Sequence, residues 1–220
     1  MIHYDPTSPM VLGVDSDATD DVLEALTAGA QFEGSHQLDA RLVTMAHQIL
    51  SDPRGSLTLE LSGDPLYHRH EIVLSRVGAL RRSRASARRD EIAVFLTPIL
   101  PGVMMRLLGL APVEPLDDEH RLAAPPEVLD RLWTTDDEER SRGWAEMRRI
   151  ARALPTAEDP ELEDAPVRAL RVSRQDRTFE ALMLRGRYLR VERGALSTTL
   201  VGSDPTGISR TIFALLTPRR

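Results

Sequence analysis

Two stretches of fourteen residues in this chain resemble one another. EIVLSRVGALRRSR runs from Glu71 to Arg84 and EALMLRGRYLRVER from Glu180 to Arg193, an offset of 109. They share Glu71 with Glu180, Arg76 with Arg185, Leu80 with Leu189, Arg81 with Arg190 and Arg84 with Arg193. Each reads as strand, turn and strand with water-facing arginines. Other pairs keep nearly the same spacing: Leu23 with Leu129 and Pro112 with Pro218 at 106, and Leu50 with Leu154 at 104. A unit of roughly 105 to 110 residues, far longer than solenoid or propeller periods, is therefore expected to occur twice.

The order of hydrophobic periods repeats as well. After a short apolar run, MVLGV, the segment TDDVLEALTAGAQFE carries acidic residues in a first helical turn and reads as a helix over 19–33. Leu38, Leu42, Met45 and Ile49 form the stripe of a second helix ending near the Asp52-Pro53 break. SLTLELSG then alternates with period two, and HEIVLSR, GALRRSR and DEIAVFLT add three more strands before a helix over TPILPGVMMRLLGL. In the second half PPEVLDRLW precedes a helix over TDDEERSRGWAEMRRIARAL, which Thr135 and Glu138 cap as a box and Trp144, Met147, Ile150 and Leu154 bury. VRALRVSR, FEALMLRG, RYLRVER and ALSTTLVG are its four strands, and DPTGISRTIFALL closes with Asp204 as N-cap and Pro205 at the first helical position. The expected fold is α+β: a pseudo-twofold internal duplication with a mostly antiparallel central sheet and helices packed on it. It should span 1–220 as one domain, its quasi-repeats at about 20–112 and 126–218.

Composition narrows the chemistry. The chain has no cysteine, which removes disulfides and thiolate sites, and no lysine, so all 28 basic residues are arginine. Schiff-base, P-loop and kinase lysine chemistries are thereby excluded. The all-arginine usage fits a GC-rich genome such as an actinobacterial one. Ala111 to Pro166 holds 16 acidic residues against 7 arginines, a net of −9 within an overall −6, and reads as an acidic linker between the halves. The acidic balance speaks against a nucleic-acid partner. No apolar run is long enough to span or insert in a bilayer, and MIHYDPTSP lacks the regions of a signal peptide, so a cytoplasmic protein is expected.

Reactive constellations are sparse. His68, His70 and Glu71 in YHRHE offer imidazole and carboxylate ligands, but the strand period puts Glu71 on the opposite face, and a polar hairpin face explains them better than a metal. VGSDPTGIS has the glycine spacing of a phosphate loop, with Ile208 where its lysine would stand. RRSRASARR, Arg81 to Arg89, is a basic hairpin tip without interleaved aromatics. Asp117 with Asp118 and Asp136 with Asp137 sit in exposed runs, and Trp133 reads as core. No catalytic residue, metal or cofactor is expected, and the chain is read as a binding protein.

The whole pattern resembles the EspG family, the cytosolic chaperones of type VII (ESX) secretion. The residues that carry the resemblance are LDARLVTMAHQILSDPRGSLTLELSG, then EIVLSRVGALRRSR with its echo EALMLRGRYLRVER, and the closing FALLTP. The resemblance implies a quasi-twofold α+β fold without catalysis and a protein client, a secreted helical heterodimer of the PE/PPE or WXG type. It further implies that the client touches the turn Gly63 to Arg69, hence Asp64, Leu66, Tyr67, His68 and Arg69, together with helices of the second half. The alternative is a small-molecule-binding or metal-dependent hydrolytic enzyme using a cleft between the halves, with His68, His70 and Glu71 as its candidates. A homodimeric structural protein without a client is a third reading.

Overall fold

The computed structural model describes residues 2–4, 10–86, 88–110, 113, 115–155, 166–194 and 197–216. Pro112, Pro218 and most of the acidic stretch AEDPELEDAP lie outside them. The chain divides into two compact units: Met1–Leu59 with Arg69–Met104, and Glu60–His68 with Met105–Arg220. The fold is mixed α+β, and its strand pairings are antiparallel wherever a register is defined.

Unit one begins with β1 (Ile2–Tyr4) and β2 (Val11–Asp15), followed by α1 (Thr19–Ala28) and α2 (Ala40–Ser51). β3 (Gly55–Gly63), β4 (Tyr67–Leu74), β5 (Gly78–Ser86) and β6 (Arg89–Leu96) form a meander, and α3 (Leu100–Leu108) follows. The strand order is β1-β2-β6-β5-β4-β3. α1 is shorter than its sequence pattern suggests. Gly29 adopts the left-handed conformation at φ 63 and its N–H returns to Leu26 O, closing the helix five residues before the apolar pattern fades. α2 starts where the Asp39 carboxylate accepts from the Arg41 N–H at 2.7 Å. Its buried face is Leu42, Ala46 and Ile49, with Met45 only flanking it, and Leu38 is buried just ahead of the helix. These side chains pack with Leu12, Val14, Leu26, Leu80 and Ile92 into the unit's core.

The second unit contains β7 (Arg121–Ala124), α4 (Pro126–Arg131) and α5 (Asp137–Ala151), then β8 (Arg168–Arg174), β9 (Arg177–Leu184), β10 (Arg187–Arg193), β11 (Thr198–Ser203) and α6 (Pro205–Leu216). The far end of β3 lies beside β8, and the order continues β8-β9-β10-β11-β7. β7 escapes a period-based reading because four residues are too few to establish alternation. α5 is capped one residue later than the box pattern places it: Asp136 accepts from the Glu139 N–H at 2.8 Å, and Thr134 Oγ1 accepts from the Asp136 N–H. A carboxylate beside the helix N-terminus adds a charge term that a threonine hydroxyl lacks. Trp144 and Met147 are fully buried, Leu154 lies just past the helix end, and Ile150 only edges the core.

From β2 onward the chain runs strand, two helices, four-stranded meander and helix, and from β7 onward the same order recurs, with β1 as an extra edge strand at the start. β2 and β7 each return beside the last strand of the following meander. Leu74↔Ala79, Val73↔Leu80 and Ile72↔Arg81 pair β4 with β5. Met183↔Tyr188, Leu182↔Leu189 and Ala181↔Arg190 pair β9 with β10, so the offset of 109 seen in the sequence is also an offset of register.

Candidate functional site

The hairpin tip Glu60–His68 is held by one face of α5. Helical spacing puts Arg140, Ser141, Trp144 and Arg148 on a shared stripe. Trp144 Nε1 donates to Ser62 Oγ at 3.2 Å, with both side chains buried. Ser141 Oγ donates to Asp64 Oδ1 and Arg148 Nη2 to Asp64 Oδ2, each at 2.9 Å. Burial pushes the Asp64 carboxyl up, but the hydrogen bonds from Arg148 and Ser141 and the charges of Arg148 and Arg140 outweigh it and hold it below the ordinary carboxylate range. Arg140, only 1% exposed, donates to Thr134 O at 2.8 Å, to Pro65 O and to Asp137, and its guanidinium lies 5.6 Å from the centre of the Tyr67 ring.

Tyr67 continues the fixation into the sheet. Its hydroxyl donates to Glu60 Oε1 at 2.5 Å. Arg171 stands 3.5 Å from Glu60 and 2.6 Å from Glu180; Arg193 in turn donates to Glu180 at 2.7 Å and to Asp130 at 2.9 Å. Acid and base therefore alternate across β3, β8, β9 and β10, which lets Glu60 and Glu180 be buried. The hydrogen bond that Arg193 donates to the Glu180 carboxylate holds its guanidinium above its usual range. Trp133, half-buried at the core edge, is roofed by Arg171 at 4.3 Å from its ring centre.

The Leu66 side chain takes no part in this fixation, although its carbonyl accepts the Gly63 N–H at 2.7 Å. Leu66 is 63% exposed, the most exposed large apolar side chain among the described residues. It rims a cavity of about 370 Å³ within the second unit, whose walls include Leu61, Leu108, Leu110, Leu170 and Met183. His68 also lines this cavity. Arg69 belongs to the first unit and pairs with Glu71 at 3.1 Å. The geometry is that of a rigid, apolar-tipped hairpin beside an apolar cavity, suited to binding.

No family model and no curated protein matches the chain. Among solved structures, that of the Mycobacterium tuberculosis type VII secretion system chaperone EspG5 in complex with the PE25-PPE41 dimer matches 94% of this chain and 95% of its own, at 12% identity and a TM-score of 0.50. The fold is similar to that of EspG5.

The other candidate residues serve this EspG5-like fold. His70 is buried and His68 exposed, and among the described residues no three His, Asp or Glu side chains are grouped to hold a metal ion. In VGSDPTGIS the Asp204 carboxylate itself accepts the Gly207 N–H at 2.9 Å, the position a phosphate oxygen would need. Gly202 is required by close approach, since a Cβ there would stand 1.9 Å from Asp117 O. Three arginines of the basic tip are paired within the chain: Arg81 with Glu91, Arg82 with Asp90 at 3.0 Å and Asp20 at 2.9 Å, and Arg84 with Asp90 at 3.4 Å. The side chains of residues 85–87 in that tip lie outside the description. Asp136 caps α5, Asp137 pairs with Arg140, and Asp117 holds His120 at 2.6 Å. Sequence reasoning named the tip but missed Arg140, Arg148 and Glu60, whose only signal is the i, i+4, i+8 spacing of Arg140, Trp144 and Arg148.

Proposed function

We propose that this chain is an EspG-like cytosolic chaperone or adaptor that binds a secreted helical client of the PE/PPE or WXG type. The likeness to EspG5 over nearly the full length of both chains is the observation that carries this reading. The hairpin tip supports it. Asp64 and Tyr67 fix the loop, Leu66 is the anchor, and His68 and Arg69 complete the contact surface around it, with no catalytic group needed. A specific pair of this kind buries about 1,200 to 2,000 Å² of total surface. The two quasi-repeats, about 20–112 and 126–218, are proposed to be copies of one ancestral module joined by the acidic linker, a reading supported by the shared 109-residue offset of sequence and register.

The test is coexpression with a helical PE/PPE-type pair followed by gel filtration and calorimetry. A stoichiometric complex is expected, and Leu66→Asp should weaken it at least about tenfold, roughly 1.4 kcal/mol or more, while leaving the melting temperature of the free chain within about 2 °C. Separate elution of chain and client across a panel of such pairs would refute the proposal.

A further inference from the structure

The cavity rimmed by Leu66 carries an unassigned feature at Arg168. In the same unit Arg131, Arg148, Arg171, Arg190 and Arg193 each hold a carboxylate within 3.2 Å. Arg168 lines the cavity, yet its only acceptor among the described residues is the Gly109 carbonyl at 3.4 Å, near the limit of a hydrogen bond. The other charged group on the cavity wall, Asp64, is already neutralised by Arg148 and Ser141. His68 lies at the same wall and adds no negative charge. Among the described residues the cavity therefore combines an apolar interior with an arginine that has no carboxylate partner.

We infer that this cavity binds a single-chain amphiphile with an anionic carboxylate head, its chain against Leu108, Leu170 and Met183 and its head on Arg168. Size sets the chain length. A cavity of about 150 Å³ takes one six-carbon ring, so 370 Å³ accommodates roughly 12 to 15 non-hydrogen atoms, the size of a ten- to twelve-carbon carboxylate. Apolar contact supplies the affinity, and the guanidinium, a fork matched to a carboxylate, supplies the selectivity for an anion. This inference needs no protein client and stands independently of the chaperone reading.

Calorimetric titration of the full chain with dodecanoate, below its aggregation concentration, tests it, with dodecan-1-ol as the neutral comparison. Saturable one-to-one binding with a negative heat-capacity change is expected, and dodecanoate should bind at least about tenfold more tightly than the alcohol. Arg168 is exposed, so Arg168→Gln should leave the fold intact, remove that preference and leave dodecanol binding unchanged. Leu110→Trp, at a half-buried wall position, should abolish binding of both. Absence of saturable dodecanoate binding, equal affinity for the alcohol in the parent chain, or an anion preference that survives Arg168→Gln would overturn the inference.

Discussion

Arg140 illustrates how a single residue is decided by its surroundings. In SRGW-flanked helical sequence an arginine ordinarily faces water, yet this one is buried because Thr134 and Pro65 turn carbonyls toward it and Tyr67 offers its ring. Arg140→Met leaves those carbonyls without donors and should cost about 1 to 3 kcal/mol in urea unfolding, the loss typical of leaving a buried hydrogen-bonding group unsatisfied. Asp64 gives a pH signature. Its carboxyl is held below the ordinary 3.8, so its contribution is complete above that value and is lost as the pH falls through the lowered folded-state value. Because the pair is solvent-screened, Asp64→Asn should be less stable than the parent by only about 0.5 to 1 kcal/mol at pH 7, with the gap closing on acidification below about pH 4. A gap that is constant from pH 7 to pH 2 would contradict the assignment. Neither role is legible in the sequence, because the Pro65 carbonyl that accepts from Arg140 and the Ser141 and Arg148 groups that donate to Asp64 lie 75 to 84 positions away from their partners.

At the scale of elements, periodicity did most of the work and local chemistry set the ends. β3 follows from alternation, α2 and α5 from apolar stripes and α6 from its Asp204-Pro205 start, but the stop of α1 at Gly29 and the cap of α5 at Asp136 depend on hydrogen bonds that a pattern does not count. Gly202 marks another such place. It looks like part of a phosphate loop in the sequence, whereas the tertiary structure runs the Asp117 backbone across it, with Gly202 N–H donating to His120 O at 2.9 Å. Gly202→Ala should force that connection away from β11 and lower the melting temperature by about 4 °C or more, equivalent to at least 1 to 2 kcal/mol in a chain of this size. An unchanged melting temperature would mean that the approach is not tight in solution.

For the molecule as a whole, the units do not follow the halves of the sequence. The tip Glu60–His68 belongs to the second unit although both flanking segments belong to the first. A fragment of residues 105–220 would lack the partners that the tip supplies to Trp144, Arg140, Arg148 and Arg171, and is expected to lose its cooperative unfolding transition and its near-ultraviolet circular dichroism. Retention of both by the isolated fragment would show that the tip is dispensable. The sequence by itself determined the α+β class, the order of elements and the absence of lysine and cysteine chemistry, because periodicity and composition are local properties of the chain. Only the tertiary structure decided which polar residues are buried, that Asp64 and Tyr67 fix the turn while Leu66 is left exposed, and that Arg168 lines an apolar cavity. The physical reason is that burial, pairing and cavity shape depend on groups far apart in sequence, and their energies exist only once the strands and helices have brought those groups within contact distance.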